Sequence, residues 1–337
     1  MSTAGLLGSD EPLATRYDLA LVDLDGVAYR GRDPIDGAAE GLAGARAAGM
    51  RLVFVTNNAS REPEAVAEQL SGLDIPTQAG EVMTAAQAAA ELLATRVPTG
   101  EAVLVVGGAG LRTAVLAKGY RVVASADDAP VAVVQGYAAD VGWAQLAEAA
   151  YAVQRGAWHV ASNLDLSLPT ARGFAPGNGA LVGAVRAATG VEPASAGKPS
   201  PTMYRLAVDR AGAERPLVIG DRLDTDLAGA RAGDIPGLHV LTGVSTARDA
   251  VLASPGERPH YLGSDLRALL VPHPVPVRDD QWWTCRGAAA RVAAGVLELR
   301  GEPADPVDLV RAACAAAWDA VDLGDGPDPA TVPELLR

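Results

Sequence analysis

The sequence predicts an α/β protein built on a doubly wound parallel sheet, with a second α/β domain inserted into it and a smaller module appended at the C-terminal end. Three observations lead there. Short apolar, β-prone runs alternate with alanine-rich stretches of helical length, the order that builds βαβ units and a parallel sheet. Several of these runs stop abruptly in acids, hydroxyls or amides, at the end of the sheet where ligands bind. Between the early and late runs lies a further alternation of strands and helices with its own turns.

The first apolar run, Tyr17 to Val22, is interrupted only by Asp18 and reads as a strand covered on both faces. It ends in Asp23-Leu24-Asp25-Gly26-Val27. Asp23 and Asp25 are two apart and share a face of a regular strand, while Gly26 lets the chain turn away and approach a ligand closely. Paired acids there suit a hard-cation site or a nucleophile beside an acid/base group; the plain alternative is a solvated acidic turn. Tyr29 to Pro34 reads as a tight turn or short hairpin, and Gly37 to Gly49 as a helix with Gly49 at its C-cap. The next strand, Arg51 to Val55, runs into Thr56-Asn57-Asn58, which can donate hydrogen bonds to an anion or cap the following helix. The connection between these two strands is expected to be right-handed.

Helical material covers Pro63 to Leu73 and Thr84 to Thr95. Strand-like runs at Glu101 to Val106, Val131 to Val134 and His159 to Ala161 then define the insert. Gly107-Gly108-Ala109-Gly110 lacks the G-x-G-x-x-G spacing of a dinucleotide site and reads as a tight turn. The insert closes with Asn163-Leu164-Asp165 and a glycine-rich loop, Gly177-Asn178-Gly179, entering a helix from Ala180 to Thr189. That loop can offer donors to a ligand or serve only as a helix start. Lys198-Pro199 follows, then a helix from Thr202 to Ala211 and a buried strand from Pro216 to Ile219. This strand ends in Gly220-Asp221-Arg222-Leu223-Asp224-Thr225-Asp226, a second acidic strand end. Leu238 to Val244 is another strand and turn, and Pro272 to Pro276 a linker.

A formal net charge of −13 speaks against a broad nucleic-acid footprint or binding to an anionic membrane surface. No apolar run is long enough to span a bilayer, and Met1 to Thr15 reads as a short flexible lead-in without the features of a secretory signal. The cysteines, Cys285 and Cys314, have no metal-ligand spacing, so a reduced, cytoplasmic protein is expected.

The ordered set Asp23/Asp25, Thr56, Lys198 and Asp221/Asp226 resembles the four motifs of the haloacid dehalogenase superfamily of phosphatases, over roughly Tyr17 to Leu270. Val55-Thr56-Asn57-Asn58, Gly197-Lys198-Pro199, Gly220-Asp221-x-x-x-Thr225-Asp226 and Leu241-Thr242-Gly243-Val244 are similar to the NagD-like subfamily. So are Asn163-x-Asp165 and Arg172 to Leu181. That subfamily carries a large α/β cap between the second and third motifs and includes phosphoglycolate/glycerol-3-phosphate phosphatases. The resemblance implies a core at residues 17–80 and 196–271, a cap at 81–195, a lead-in at 1–16 and an accessory module at 272–337.

The resemblance also implies roles. Asp23 would be the nucleophile and Asp25 the general acid/base; Mg²⁺ would be held by the Asp23 carboxylate, the Asp25 carbonyl and Asp221. Thr56, the Asn57 amide and Lys198 would cradle phosphate next to Gly26, and Asp226 would orient metal waters and Lys198 from outside. Asn163, Asp165 and Asn178 would form the cap's substrate-facing wall. The implied activity is hydrolysis of a small phosphorylated metabolite, glycerol 3-phosphate first. The alternatives are 2-phosphoglycolate, pyridoxal phosphate or a sugar or nucleotide phosphate. A homodimer through the cap follows from the same resemblance. The module beyond residue 271, α or α/β and packed through its tryptophans, has a faint similarity to a fragment of an acetyltransferase fold, without the acyl-CoA-binding signature. The competing non-enzymatic reading is a phosphate-sensing module, or a partner-binding one acting through this tail.

Overall fold

The computed structural model describes residues 5–170 and 172–336. The first four residues of the expected lead-in and Arg337 of the accessory module lie outside them. The chain forms two compact units: Met1–Val53, Leu73–Ile75 and Ala211–Arg337 make the first, Phe54–Gly72 and Pro76–Arg210 the second.

In the first unit, Leu19–Val22 pairs in parallel with Pro216–Gly220, which pairs with Gly237–Val240, which pairs with Tyr261–Gly263. The start of Arg51–Thr56 lies along the other edge of Leu19–Val22. Leu19 through Val22 and Leu217 through Ile219 are all fully buried, which is why these strands read as continuous apolar runs with no alternation. Asp18 interrupts the run because it sits at the strand's entrance. Burial alone would raise its pKa, but N–H groups of Glu214 and Arg215, 3.0 and 2.9 Å from its carboxylate, hold the carboxyl below its ordinary range.

The C-terminal module belongs to this unit. Val277–Asp279, Trp282–Cys285, Ala288–Ala293 and Val296–Arg300 form an antiparallel four-stranded sheet, joined by tight turns with left-handed Arg286-Gly287 and Ala294-Gly295. The alanine-rich stretch is therefore a hairpin. Its alanines let the helix Val307–Asp322 approach closely, and Ala288, Ala290, Ala313, Cys314 and Ala317 pack in one buried cluster. Of the tryptophans, Trp318 does the docking: it is buried and its indole N–H donates to Ala250 O at 3.1 Å. Trp282 lies instead beneath the Arg291 and Arg300 guanidiniums.

Two expectations give way here. The stretch read as a flexible lead-in is held along its described length: Leu7 N–H donates to His260 O, Ser9 and His273 exchange both backbone bonds, and Leu13 is fully buried. The linker is pinned by the same pairing, and the His273 ring, buried edge-on to Tyr261, donates from Nε2 to Ala268 O at 2.8 Å. Leu13 and Ala14 of the first segment and the His273 ring of the second are buried, contacts that a reading of polarity and proline content misses.

The second unit holds a separate five-stranded parallel sheet in the order Ala194–Ser195, Trp158–Ala161, Ala132–Gln135, Ala102–Val106 and Arg121–Val123. Helices Ala109–Ala117, Trp143–Gln154 and Asn178–Thr189 accompany it. The helix from residue 143 and the outer strands escaped the sequence reading because they are short or carry mixed polarity. Val82–Thr84, on the insert side of the expected boundary at 80/81, pairs in parallel with Phe54–Thr56. Thr84 caps Ala85–Ala94 through a reciprocal bond with Gln87.

Burial makes the histidines acid sensors of stability. His159 in the second unit and His273 in the first are at most 3% exposed, and burial pushes both pKa values down to about 4. An unfolded chain binds these protons near pH 6.5, so between 6.5 and 4 it holds more of them than the folded chain. Stability is complete above pH 6.5 and falls as pH drops through this window, by about 3 kcal/mol per histidine at the lower end. The carboxylates whose pKa values are lowered, Asp18, Asp224 and Asp322, act below their ordinary value of 3.8 and do not share the window. Urea unfolding at pH 7.5, 6.5, 5.5 and 4.5 checks this; a flat midpoint would refute it.

Candidate active site

Two neighbouring strand ends in the first unit carry its acids. Asp23 follows Leu19–Val22 and Asp221 follows Pro216–Gly220, with Val22 opposite Ile219. The sheet grows in opposite directions from this pair, so the crevice beyond it is where a doubly wound sheet takes its ligand. Asp226 comes from the wide π-type turn Leu223–Leu227 that starts the next helix. One carboxylate oxygen from each of Asp23, Asp221 and Asp226 lies within 4.8 Å of the others. Asp221 and Asp226 are buried and Asp23 is half-buried.

Three carboxylates this close, two of them out of water, repel one another unless a cation or a shared proton offsets their charge. The donors are all hard oxygens, which fits Mg²⁺ or Ca²⁺ and not a thiophilic metal. Asp226, expected to act on metal waters and Lys198, has its carboxylate in the same group as Asp23 and Asp221. The carboxylate of Asp25 is not part of this group, and Asp25 is exposed while Leu24 between the two acids is buried.

The backbone closes tightly around Asp221. A Cβ at Gly26, whose φ is +91°, would stand 2.4 Å from Asp221 Oδ2, and one at Gly243 would stand 1.8 Å from the same atom. Val244 N–H donates to that oxygen at 2.7 Å, and Thr242 Oγ1 donates to Gly26 O at 2.6 Å, tying the two turns together. The sequence marked the Leu241-Thr242-Gly243-Val244 turn but not its work, nor that of Ser245, whose Oγ accepts from Leu223 N–H at 3.1 Å. A Gly-Val pair after a strand is a signal for a turn; only the fold shows that it grips a carboxylate.

The second unit carries the other predicted groups. Thr56 ends its strand, and its Oγ1 accepts from Asn58 N–H at 3.1 Å. Asn58 closes a local turn, its Oδ1 accepting from Ser60 and Arg61 N–H, but the segment does not cap the following helix: Pro63–Ser71 starts after Glu62, without a side-chain cap bond. Asn57 is a bracket. Its Oδ1 accepts from Lys198 N–H at 2.8 Å, and its Nδ2 donates to Lys198 O at 3.2 Å and to Asp165 Oδ2 at 3.1 Å. Lys198 is 3% exposed, with Nζ 3.4 Å from Val55 O. Asn57, Asp165 and Lys198 therefore converge although they lie far apart in sequence.

Asn163 and Asn178, expected on a substrate-facing wall, are instead interior. Asn163 Nδ2 donates to Asn57 O at 2.7 Å, and Asn178 Nδ2 to Asn163 O at 2.7 Å and Gln135 O at 3.3 Å. Both are at least 95% buried, so their amides satisfy backbone carbonyls and hold the loop that carries Asp165. The glycines of Gly177-Asn178-Gly179 serve the same packing: a Cβ at either would lie 2.2 Å from the carbonyl oxygen of Asp165 or Leu164.

Residues 20–121 match the haloacid dehalogenase-like hydrolases, residues 195–269 the related HAD-hydrolase-like family, and residues 285–337 the GCN5-related N-acetyltransferase like domain. The chain is 44% identical over 321 residues to the D-glycerol 3-phosphate phosphatase of Mycobacterium tuberculosis, covering 94% of this chain and 90% of that protein. It is 38% identical to an acid sugar phosphatase of Staphylococcus saprophyticus, over 75% of this chain and 97% of the relative. Among solved structures, the glycerol phosphate phosphatase of M. tuberculosis in complex with magnesium superposes with a TM-score of 0.83 at 43% identity, over 92% of both chains. A double mutant thermostable NPPase of Geobacillus stearothermophilus does so with 0.68 at 34%, over 75% of this chain and 98% of that one.

Proposed function

This chain belongs to the haloacid dehalogenase-like hydrolases, and on that premise we propose that it is a Mg²⁺-dependent phosphomonoester hydrolase whose first substrate is glycerol 3-phosphate. The observation that carries the reading is the convergence of Asp23, Asp221 and Asp226 from two adjacent strand ends. The 44% identity to a D-glycerol 3-phosphate phosphatase, extending through the C-terminal module, supports this substrate over 2-phosphoglycolate, pyridoxal phosphate or a sugar phosphate.

Asp23 attacks phosphorus as its ester bond breaks, giving an aspartyl-phosphate and an alcohol. Asp25, exposed beside it, gives the departing alkoxide a proton and later takes one from the water that cleaves the aspartyl-phosphate, freeing Asp23 and inorganic phosphate. Bound Mg²⁺ supplies the positive charge that lets an anionic nucleophile meet an anionic ester. Asp221, with one oxygen held by Val244 N–H, and Asp226 keep their carboxylates aimed at the cluster. Thr56, the Asn57 backbone N–H and Lys198 take up charge on the phosphate oxygens, while the Asn57 side chain holds the Lys198 backbone in place.

Among the described residues no helix is long and apolar enough to cross a membrane. A cytoplasmic location, compatible with two free buried cysteines, and pairing through the inserted domain at residues 81–195 complete the reading. Phosphate release should be measured from glycerol 3-phosphate, 2-phosphoglycolate, pyridoxal phosphate and a sugar phosphate, with Mg²⁺ and with chelator. Turnover should require the metal and kcat/KM should be highest for glycerol 3-phosphate. No release from any ester by folded, metal-loaded protein would end the hydrolase reading.

A further inference from the structure

A polar cavity of about 500 Å³ opens in the first unit, lined by the N-terminal stretch Gly8 to Asp10, Arg16, the segment Pro272 to Val275, and Arg286, and by none of Asp23, Asp25, Asp221 and Asp226. The walls come from parts of the chain more than 200 residues apart, fixed against each other by the paired backbones of Ser9 and His273. Its charged groups are two guanidiniums, Arg16 and Arg286, and one carboxylate, Asp10.

Both guanidiniums lack a protein partner. Among the described residues the guanidinium of neither Arg16 nor Arg286 has an ion pair or a hydrogen-bonded partner, in a chain with 41 acids to 28 bases. Arg267, Arg291 and Arg311, by contrast, are each paired with carboxylates. Nor are Arg16 and Arg286 placed freely. Arg16 ends a short helix whose Leu13 is fully buried, and Arg286 occupies the left-handed first position of a two-residue hairpin turn. His273 adds no charge to the cavity, because burial leaves its ring neutral down to about pH 4. Two like charges held at one polar cavity, with a single acid beside them, form a field that an anion relieves. Guanidinium forks match tetrahedral oxyanions in both geometry and charge.

We infer that Arg16 and Arg286 form a second anion site, for a phosphate group, that clamps the N-terminal stretch to the C-terminal module. Inorganic phosphate, a phosphomonoester or another small tetrahedral oxyanion shares the chemistry needed. Asp10 limits the affinity and disfavours highly charged ligands. The site is separate from the acid cluster in its residues, and its occupancy does not depend on hydrolysis.

The test uses full-length protein stripped of divalent metal, in which the unscreened acids repel phosphate and leave the second site to report. Titration with inorganic phosphate, followed by calorimetry and by thermal unfolding, should show saturable binding of one phosphate per chain and a rising midpoint. Arg16→Ala and Arg286→Ala should each weaken binding at least about tenfold and abolish the shift, while Asp10→Asn should strengthen it. With Mg²⁺ restored, all three variants should turn over substrate as the wild type does at low phosphate. Sulfate should mimic phosphate and chloride should not. Equal binding by wild type and both arginine variants, or a shift that chloride reproduces, would overturn the site. Either result is independent of which ester, if any, the acid cluster hydrolyses.

Discussion

Asp23→Asn is expected to lower phosphate release by on the order of 10⁴-fold or more while leaving the fold intact. The carboxamide has the shape of the carboxylate but neither its charge nor its nucleophilicity, so the first bond to phosphorus cannot form. Structure should not suffer, because Asp23 is half-buried and its backbone N–H bonds to Ile219 O at 2.9 Å whatever the side chain. Removing one of three crowded carboxylates also relieves their repulsion. The metal-free variant should therefore unfold at the same temperature as metal-free wild type or higher, whereas Mg²⁺ should stabilise it less. Asp25→Asn gives the contrast: its side chain lies outside the cluster, so Mg²⁺ stabilisation should survive while turnover falls. Steady-state kinetics with melting curves at several Mg²⁺ concentrations decide the matter. If Asp23→Asn keeps more than a tenth of the wild-type rate, Asp23 is not the nucleophile.

The fold and the acids of this site were legible in sequence for a common reason. A parallel sheet buried on both faces must be written in uninterrupted apolar runs, and Leu19–Val22 and Pro216–Gly220 are such runs. An acid directly after such a run lies beyond a strand end, so the sequence alone locates Asp23 and Asp221 at the sheet's ligand-binding end. What stayed hidden depends on contacts between distant segments. Asn163 and Asn178 look like ligand-binding amides in a glycine-rich loop, and only the carbonyls facing them reveal that they are interior brackets. The anchoring of residues 5–16 rests on His260 and His273, more than 240 positions away, which local polarity cannot report. Alanine misleads in its own way: its intrinsic preference is helical, yet Ala288–Ala293 is a strand, because the close approach of Val307–Asp322 admits little else on that face.

The accessory module should prove inseparable from the rest of the first unit, and ending the chain at Val271 should produce a protein that fails to fold or aggregates. Leu223, Leu227, Val251 and Leu262 share one apolar cluster with Val307, Val310, Cys314 and Trp318. At roughly 2 kcal/mol for each large side chain returned to water, losing that cover from four of them costs about 8 kcal/mol, as much as the whole net stability of many domains. The polar cost is added to this. Arg258 is fully buried, lies 5.4 Å from the Trp318 ring and bonds Asp322 Oδ2 at 2.8 Å, so truncation strands its charge. Leu262 O loses the Arg311 guanidinium, and Ala250 O loses the Trp318 indole N–H. A milder change isolates the packing: Trp318→Ala in the full chain should cost about 3–5 kcal/mol, measured by urea unfolding. These losses also act near catalysis without touching it, because Leu223 and Leu227 belong to the same turn as Asp226. The truncated chain should therefore lose Mg²⁺ binding along with stability. A chain of residues 1–271 that folds, binds Mg²⁺ and turns over like the full protein would show the module to be a passenger, and would return attention to what partner it serves.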